Sequence, residues 1–550
     1  MFVREKLRKN GRTAVQIVKS KRVGAKVVQG VFRHVGQGEN SREIEELKRL
    51  ARSIIIENQE KRETSLPLFG VGEFPKPVRV AESETEKICI KDLRGEESVI
   101  EGIAQVFGKL FYDLGFERVF SGTRRDDQWN LILKSCVLGR LARPVSKRKT
   151  SIFLQEEYGV DVPLEKIYRM MDRLGDRIEA IKETALQSTV SLFEEKVDVL
   201  FFDVTTLYFE SIDEDELREF GFSKDCKFKE VQVVLALVTT QHGLPITYEL
   251  FPGSTFEGHT LKVAVEGLKK SFTIKNILIV ADRAMFNWKN LEWMESEGIR
   301  YIVAAKLRSL SKKMKAQILE SSLYTPAVVE NELHWVRQFS FTEKRRLVVS
   351  YSSDRAKRDA KQRQRLVDRL MGKVKNGKIK LSDLVTNRGS KKFLKIDEAN
   401  AVIDEAKIER DAIWDGIHSI VTNDASLTAT EALCRYRGLW QIEESFRINK
   451  HDLSMRPIFH WRPKRIKAHI AICFIAYTLA RQATYRMRLI TKQSISFEEL
   501  RHQLLQVKSD ILVDISTANR YMVPFLLTSA QKRIYSIFGL KRSEIPYRIK

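Results

Sequence analysis

Between residues 197 and 305 the chain carries a succession of apolar segments that restricts its fold more than any other feature. Strand-like, β-branched segments begin at Val197, Val231 and Pro245, and the turn that starts at His242 joins the last two as a hairpin. A helical pattern, a buried strand, a second helical pattern and a further strand follow. This order of three strands, helix, strand, helix and strand predicts an α/β core that still needs a closing helix.

The closing helix does not follow directly, because residues 308–425 intervene. They contain further strand-like segments and a very basic helical segment between Lys357 and Lys373. The helical period returns at Ala429 and continues to about residue 483. We therefore predict the fold class α/β, with an RNase H-like catalytic core that is interrupted by a β-rich insertion.

The residues ahead of this core divide into two parts. Alternating basic and β-branched residues predict a strand pair, and a charged helix over about 41–59 and a proline-containing linker follow. Apolar residues then recur at helical spacing over about 97–195. The predicted units are 1–95, the N-terminal strand pair, helix and linker; 96–195, a helical region; 196–307, the first part of the core; 308–425, the β-rich and basic insertion; 426–485, the second part of the core with its closing helix; and 486–550, a C-terminal extension.

The charge of the chain points to a polyanionic partner. Lysine and arginine outnumber aspartate and glutamate 96 to 72, which gives a formal net charge of +24. Such an excess repels itself unless a polyanion is a regular partner, so nucleic acid is the first candidate. An anionic membrane surface is the other, but it needs a basic amphipathic helix or a lipid signal, and neither is evident.

The five cysteines are scattered singly, which argues against structural zinc and a disulfide framework. The residues after Met1 lack the apolar core of a secretory signal, and the longest apolar run, 470–480, is too short to span a membrane. We therefore expect no membrane association and a reducing cytoplasm.

Two aspartates stand where a sheet-based site would place them. Asp203 lies inside an apolar strand, where an unpaired carboxylate is costly unless a cation or hydrogen-bond donors compensate it. Asp282 closes the apolar run 277–281 and so lies at the carboxyl end of a central strand, the usual ligand crevice of an open α/β sheet. Taken singly, Asp282 is equally well explained as a turn residue or a helix cap.

The predicted closing helix carries polar groups on one stripe. Tyr436, Trp440, Glu443, Arg447 and Lys450 follow one another at steps of four, three, four and three residues. An ordinary amphipathic helix would line this stripe with aliphatic residues, so the pattern indicates a site. The alternative is an exposed face on which Glu443 pairs with Arg447. The tryptophan either stacks on a base or packs in the core, and we expect the core.

Three carboxylates from a strand, a strand end and a returning helix can meet around two Mg²⁺ ions, the arrangement used for in-line displacement at phosphorus. Hard oxygen ligands suit Mg²⁺ or Mn²⁺, and the lack of clustered Cys and His argues against zinc. Asp203, Asp282 and Glu443 are therefore the candidate catalytic and metal-binding residues. One ion would activate water or a 3′-hydroxyl, and the other would stabilise the leaving oxygen.

A basic turn opens one helix of the 96–195 region. Helix N-termini and basic side chains both favour anions, so Lys147, Arg148 and Lys149 are a candidate phosphate clamp. A solvated basic loop explains the same residues equally well.

Taken together, these motifs resemble the DDE transposases of bacterial insertion sequences, in the branch that carries a β-rich insertion between the second Asp and the Glu. The resemblance extends through most of the chain, and its motifs are specific only in combination. They are Asp203–Phe209, Gly221–Asp225, Gly243–Ile246, Phe251–Thr255, Ala281–Met285 and Tyr436–Lys450.

The family pattern around the glutamate is Tyr, two residues, Arg, three residues, Glu, six residues, Lys. Tyr436, Glu443 and Lys450 match it, but Leu439 occupies the Arg position and leaves one expected phosphate contact unfilled. Arg437 or Arg447 are the candidates to supply that contact.

The resemblance implies metal-dependent hydrolysis at the ends of a mobile element, followed by strand transfer of the 3′-hydroxyl into target DNA. It also implies a homodimer that holds two ends, a cut-and-paste route through a DNA hairpin, and a bacterial protein bound to the nucleoid. Recognition of the terminal inverted repeats would fall mainly to the helical N-terminal DNA-binding region. The candidate DNA-binding residues are Tyr436, Arg437, Arg447, Lys450, Arg283, Lys147, Arg148 and Lys149.

Two alternatives remain at the level of the sequence. The first is a basic nucleic-acid-binding protein on an RNase H-like core that has lost its chemistry, although a scaffold has no need of three carboxylates in these positions. The second is a nuclease that cleaves DNA without joining it.

Overall fold

The computed structural model describes residues 2–7, 13–23, 26–38, 44, 48, 88–123, 126–193, 199–221, 230–271, 277–285, 287–375, 392–397 and 400–549. The strands, in chain order, are β1 Phe2–Leu7, β2 Thr13–Val23, β3 Lys26–Gly38, β4 Leu93–Ile100, β5 Val199–Tyr208, β6 Gln232–Thr240, β7 Pro245–Pro252, β8 Leu278–Ala281, β9 Arg300–Ala304, β10 Thr325–Val329, β11 Glu332–Thr342, β12 Arg345–Tyr351, β13 Leu394–Asp397, β14 Asn400–Ile403, β15 Ile417–Thr422, β16 Lys508–Asp514, β17 Asn519–Pro524 and β18 Tyr547–Ile549. The α-helices are α1 Gly102–Asp113, α2 Asp126–Ala142, α3 Lys147–Tyr158, α4 Leu164–Leu174, α5 Ile178–Phe193, α6 Glu257–Ser271, α7 Trp288–Ser296, α8 Lys312–Leu319, α9 Ser353–Lys375, α10 Glu405–Ala412, α11 Ala429–Arg437, α12 Trp440–Arg447, α13 Pro463–Thr491, α14 Phe497–Leu505 and α15 Ser529–Ile537.

A nine-stranded mixed sheet organises the protein, with the strand order β10-β11-β12-β15-β9-β8-β5-β6-β7. β5 pairs in parallel with β8, which pairs in parallel with β9, whereas β6 and β7 form an antiparallel hairpin beside β5. Every residue of β6 is buried, as expected for a strand that is covered on both faces. The predicted order of three strands, helix, strand, helix and strand is present as β5, β6, β7, α6, β8, α7 and β9.

The strands of the 308–425 segment continue this sheet. β15 pairs antiparallel with β9, and β12, β11 and β10 follow in turn. The basic helix predicted between Lys357 and Lys373 is α9, which spans 23 residues. The segment therefore contributes both strands and a long basic helix beside the core.

The two faces of the sheet have separate hydrophobic cores because side chains alternate along each strand. Phe201 and Leu207 of β5 belong to one core, which includes residues of α11, α12 and α13. Phe202 and Val204 belong to the other, which includes residues of α6 and α7. The long helix α13 is buried from Ile470 to Ala480, so this apolar run packs inside the protein.

The helical region and the C-terminal extension form one unit with α13. Helices α1, α2, α4 and α5 contact α13, and β4 pairs with β16, so the strand that precedes α1 shares one four-stranded sheet with the C-terminal strands β16, β17 and β18. An added Cβ at Gly102 would lie 2.3 Å from the Leu504 carbonyl oxygen, so the close approach of α1 and α14 requires glycine there. The expectation of helical structure from about residue 97 is wrong for Glu97 to Ile100, which belong to β4.

The N-terminal strand pair is present as β2 and β3, and β1 adds a third strand. The helix predicted over 41–59 lies outside the described residues apart from Ile44 and Lys48. Within the described part of the chain, no helix has the length and apolarity needed to cross a bilayer.

Candidate active site

Asp203 and Asp282 lie at neighbouring positions on two adjacent parallel strands. The last paired residues of β5 and β8 are Phe202 and Ala281, which directly precede the two aspartates. Ala281 and Phe202 both face the core beneath α6 and α7, so alternation turns both aspartates to the opposite face, where α12 packs. The structure therefore brings the first two predicted acids to one place on the sheet.

The two aspartates differ in their surroundings. Asp203 is half-buried, and its Oδ1 accepts a hydrogen bond from the Val204 backbone N–H at 2.7 Å. Asp282 is exposed and makes no hydrogen bond or ion pair with any residue that the structure describes. An exposed carboxylate without a protein partner remains available to a ligand.

Glu443 approaches the same face on α12. The preceding helix α11 begins at a capping box between Thr428 and Glu431, and a Cβ at Gly438 would lie 2.7 Å from the Phe201 ring. This close contact fixes α12 directly over β5. Ile442 is buried in the core, whereas Glu443 is exposed and makes no hydrogen bond or ion pair with the described residues.

The alternative in which Glu443 pairs with Arg447 is wrong. The Arg447 guanidinium instead lies 3.7 Å from a carboxylate oxygen of Glu444 and 3.7 Å from one of Asp452. Arg447 therefore pairs with Glu444 and not with Glu443, the acid that the sequence predicts to be functional.

A cavity of about 220 Å³ lies between α12, the end of β8 and the 308–425 segment. Asp282, Glu443 and Tyr436 line it together with Arg355 and Arg358 from the first turns of α9. Burial, followed by the charge of Asp282, raises the pKa of Tyr436, so its hydroxyl stays protonated and able to donate a hydrogen bond. Carboxylates, a hydroxyl and guanidinium groups thus share one small space.

Two histidines in the same cavity are neutral. Burial and the nearby Arg355 lower the pKa of His418 to about 3, and its ring lies 4.9 Å from the Tyr436 ring. Burial, followed by the charge of Arg437, also lowers the pKa of His334. These histidines add no positive charge, so the cationic character of the cavity comes from its arginines.

A larger cavity of about 710 Å³ adjoins the first and shares Arg355 with it. Arg283, Arg308 and Lys306 line it on the side of the core, and Arg363 lines it from α9. Asp411 and Asp415 also line it, and their ion pairs with Arg308 and Arg363 hold parts of the segment together. The sequence predicts the basic helix α9, but Arg355 and Arg358 are not among its candidate site residues. Nothing in the local sequence shows which of the many cations of α9 faces Asp282 and Glu443.

The other candidates of the Tyr436–Lys450 stripe are placed differently. Arg437 lines the 220 Å³ cavity, but its guanidinium pairs with Glu332 and donates to the Val329 carbonyl oxygen. Lys450 lies in a π-helical turn after α12. The expectation that Trp440 packs in the core is wrong, because 52% of its surface is exposed.

Leu439 is buried in the core that includes α12, so the residue at the family's Arg position has a packing role here. The predicted clamp lies elsewhere, at the start of α3, where Ser146 caps the helix by accepting a hydrogen bond from the Lys149 backbone N–H. Arg148 and Lys149 are exposed, but Lys147 is buried.

Metal binding by the three carboxylates stays a prediction. Within the described ranges, no group of three or more His, Cys, Asp and Glu side chains is arranged to hold a metal ion. The donors nevertheless suit Mg²⁺, because Asp203, Asp282 and Glu443 all offer hard carboxylate oxygens and face the same side of the sheet.

Carboxylates at the ends of parallel strands, faced by arginines, are the arrangement expected of an enzyme that acts on phosphodiesters. The sequence model of the family described as Transposase DDE domain matches residues 195–479, which is over half of the chain. The chain therefore belongs to this family of DNA-cleaving and strand-transferring enzymes, whose members generally use divalent metal ions.

Two further comparisons add little. Comparison with curated proteins finds no match. Among solved structures, the chain is similar to the "Drosophila P element transposase strand transfer complex", with 13% identity over 69% of this chain and 84% of that chain. The TM-score of 0.20 is too low to indicate a shared fold.

Proposed function

We propose that this protein is the transposase of a bacterial insertion sequence, which binds terminal inverted repeats, cleaves DNA at the element ends and joins the 3′-hydroxyl ends to target DNA. The observation that carries the proposal is the placement of Asp203 and Asp282 side by side on parallel strands, beneath the helix of the unpaired Glu443. Family membership supplies the reaction class. The core is proposed to be RNase H-like, as its element order indicates.

Each group at the site has a role that follows from its chemistry. Arg355 and Arg358 would hold phosphates, since a guanidinium binds phosphate oxygens through paired hydrogen bonds. The protonated Tyr436 hydroxyl would donate to a DNA oxygen near Asp282. Because α9 supplies these arginines, they replace the phosphate contact that Leu439 cannot make.

Asp203, Asp282 and Glu443 would hold two Mg²⁺ ions, or Mn²⁺ in their place. When bound, such ions supply Lewis-acid activation of water or a 3′-hydroxyl and stabilisation of the leaving oxygen. The carboxylates themselves set where the attacking and leaving oxygens lie relative to Arg355. Glu443, the most distant of the three in sequence, completes the site only if α12 stays packed over β5.

We also propose DNA as the partner, a homodimer as the assembly and the bacterial cytoplasm as the location. The formal charge of +24 fits binding to double-stranded DNA, both at the terminal repeats and at the target. A homodimer would hold two ends, and the enzyme would act in the bacterial cytoplasm on the nucleoid. A cut-and-paste route through a DNA hairpin is the proposed path for the second strand.

The test is incubation of the full chain with Mg²⁺ and a DNA fragment that carries the ends of its own element. Nicked ends followed by joined products support a transposase. Nicks without joining indicate a nuclease, and DNA binding without nicks indicates a protein that has lost its chemistry. If binding uses about six to ten phosphate contacts, affinity should fall roughly 10³- to 10⁵-fold between about 50 and 200 mM salt.

A further inference from the structure

A second cationic pocket lies away from the candidate active site, between α3, α4 and the start of α13. It has a volume of about 600 Å³. The residues that line it include Arg140, Lys147, Arg148, Lys149 and Arg456, and none of the described lining residues is acidic. A cavity with this lining has a strongly positive potential.

Two of these cations are buried, which is unusual for charges without acidic partners. Lys147 is 3% exposed and Arg140 is 4% exposed. Lys147 makes no hydrogen bond or ion pair with any described residue, and Arg140 reaches only the Leu453 and Ser454 carbonyl oxygens at 3.5 and 3.3 Å. Burial and the charge of Arg140 lower the pKa of Lys147 to about 8, so the free protein carries this ammonium at a cost.

Further groups at the pocket also suit an anion. Ser146 caps the N-terminus of α3 beside Lys147, and a helix N-terminus favours negative charge. At the mouth of the pocket, Phe459 is 58% exposed and offers a flat apolar ring.

We propose that this pocket binds a phosphate group of DNA, with Lys147 and Arg140 as its buried ligands and Phe459 as a platform for the adjoining base. Stacking of bases on exposed aromatic rings and neutralisation of backbone phosphates are the two main sources of affinity for nucleic acid strands. The choice of DNA as the source of the phosphate rests on the proposed function.

The pocket lies within reach of the DNA that the active site would hold. The Arg456 guanidinium lies 5.0 Å from the ring of Tyr208, the last residue of β5, the strand that carries Asp203. At about 3.3 Å per residue, Tyr208 is on the order of 17 Å along β5 from Asp203, a distance that about five nucleotides span.

The experiment compares the full-length wild type with Lys147→Met and with a control, Lys166→Met, which removes an exposed lysine of α4. Thermal unfolding is measured in inorganic phosphate and in chloride at equal ionic strength. We expect phosphate to raise the Tm of the wild type and the control. The Lys147→Met protein should start from a higher Tm in chloride and lose the response, because the buried ammonium is gone.

The same proteins are then titrated at about 50 to 200 mM salt with a DNA duplex that carries a single-stranded overhang, whose unpaired bases can stack on Phe459. Loss of one phosphate contact should make the fall in affinity across this range roughly 3- to 4-fold smaller for Lys147→Met. Arg456→Met, which changes a side chain at the mouth of the pocket, provides a second variant for the same titration. An unchanged phosphate response in Lys147→Met would contradict the proposal that the pocket binds phosphate. A lost phosphate response with an unchanged DNA titration would contradict the proposal that this phosphate belongs to DNA.

This outcome is independent of catalysis. If the wild type never cleaves DNA but Lys147→Met still changes both the phosphate response and the DNA titration, the phosphate-binding proposal is supported and the proposed function is wrong. If the wild type cleaves DNA and Lys147→Met behaves as the wild type in both experiments, the phosphate-binding proposal is wrong and the proposed function is supported.

Discussion

Two pairs of carboxylates that flank the nine-stranded sheet have opposite surroundings. Glu295 accepts hydrogen bonds from Arg345 and from the Tyr301 hydroxyl, and Asp424 pairs with Arg300 at 3.0 Å. Asp282 and Glu443, by contrast, make no hydrogen bond or ion pair with the described residues.

The difference separates structural charge from functional charge. A carboxylate that the protein itself satisfies stabilises the fold, whereas one left exposed in a cavity lined by arginines is available to an external cation or substrate. Substitutions in the two pairs should therefore have opposite effects on stability and on activity.

The largest expected effect is on catalysis. Asp282→Asn should reduce single-turnover DNA cleavage by roughly 10³-fold or more, because several kcal/mol of transition-state stabilisation are lost. The free energy of unfolding should change by less than about 0.5 kcal/mol, since the side chain has no partner among the described residues to lose. Asp127→Asn, which changes an exposed carboxylate in the first turn of α2, is the control and should leave cleavage unchanged, with at most about 1 kcal/mol of stability lost from its interaction with the helix dipole.

The reverse is expected for the structural pair. The Arg345 side chain is only 5% exposed, so Arg345→Met leaves the Glu295 charge in a poorly solvated place and should lower the free energy of unfolding by about 3 kcal/mol. Cleavage per folded molecule should stay at the wild-type level. The double variant with Glu295→Gln should lose less than the single one, and an equal or greater loss would contradict this reading of the pair.

A smaller effect is expected from pH. Burial alone would raise the pKa of Glu295, but hydrogen bonds from Arg345 and Tyr301 outweigh it and hold the pKa below its usual value. The stability from this interaction is therefore fully present above the pKa of the unfolded chain, about 4.3, and is lost as the pH falls through the lower folded value. Chemical denaturation between about pH 6 and 3 should show a shallower loss of stability in Glu295→Gln than in the wild type.

The smallest of these effects concerns Tyr436. Tyr436→Phe removes one hydroxyl from the cavity that Asp282 and Glu443 line, and it should slow cleavage about tenfold, which corresponds to one hydrogen bond to a charged group. Stability should stay within about 0.5 kcal/mol of the wild type. A wild-type cleavage rate in this variant would show that the hydroxyl does not contact the reacting DNA.

The sequence predicted what is local. Apolar alternation located the strand that contains Asp203 and the strand that Asp282 follows, and the helical period located α12, which carries Glu443. The same period could not show which face of α12 is covered, so it misplaced Trp440, which is half exposed.

Long-range contacts account for the rest. The end of β4 was expected to be the start of a helix, because its buried residues Val99 and Ile100 are followed by the apolar positions of α1. It is a strand because it pairs with β16, which is about 400 residues away in sequence. Arg355 shares a cavity with Asp282 and Glu443 because β12 and β15 extend the core sheet and α9 directly follows β12. The buried state of Lys147 likewise depends on α13, more than 300 residues later.

The most direct test uses a substitution of Glu443, since this is the carboxylate that the closing helix would add to the two strand aspartates. DNA with the ends of the element is incubated with Mg²⁺ and either the wild type or Glu443→Gln, and binding and cleavage are followed in the same samples. We expect Glu443→Gln to bind the DNA as the wild type does but to produce neither nicks nor joined products. Cleavage by Glu443→Gln at the wild-type rate would contradict the assignment of the active site.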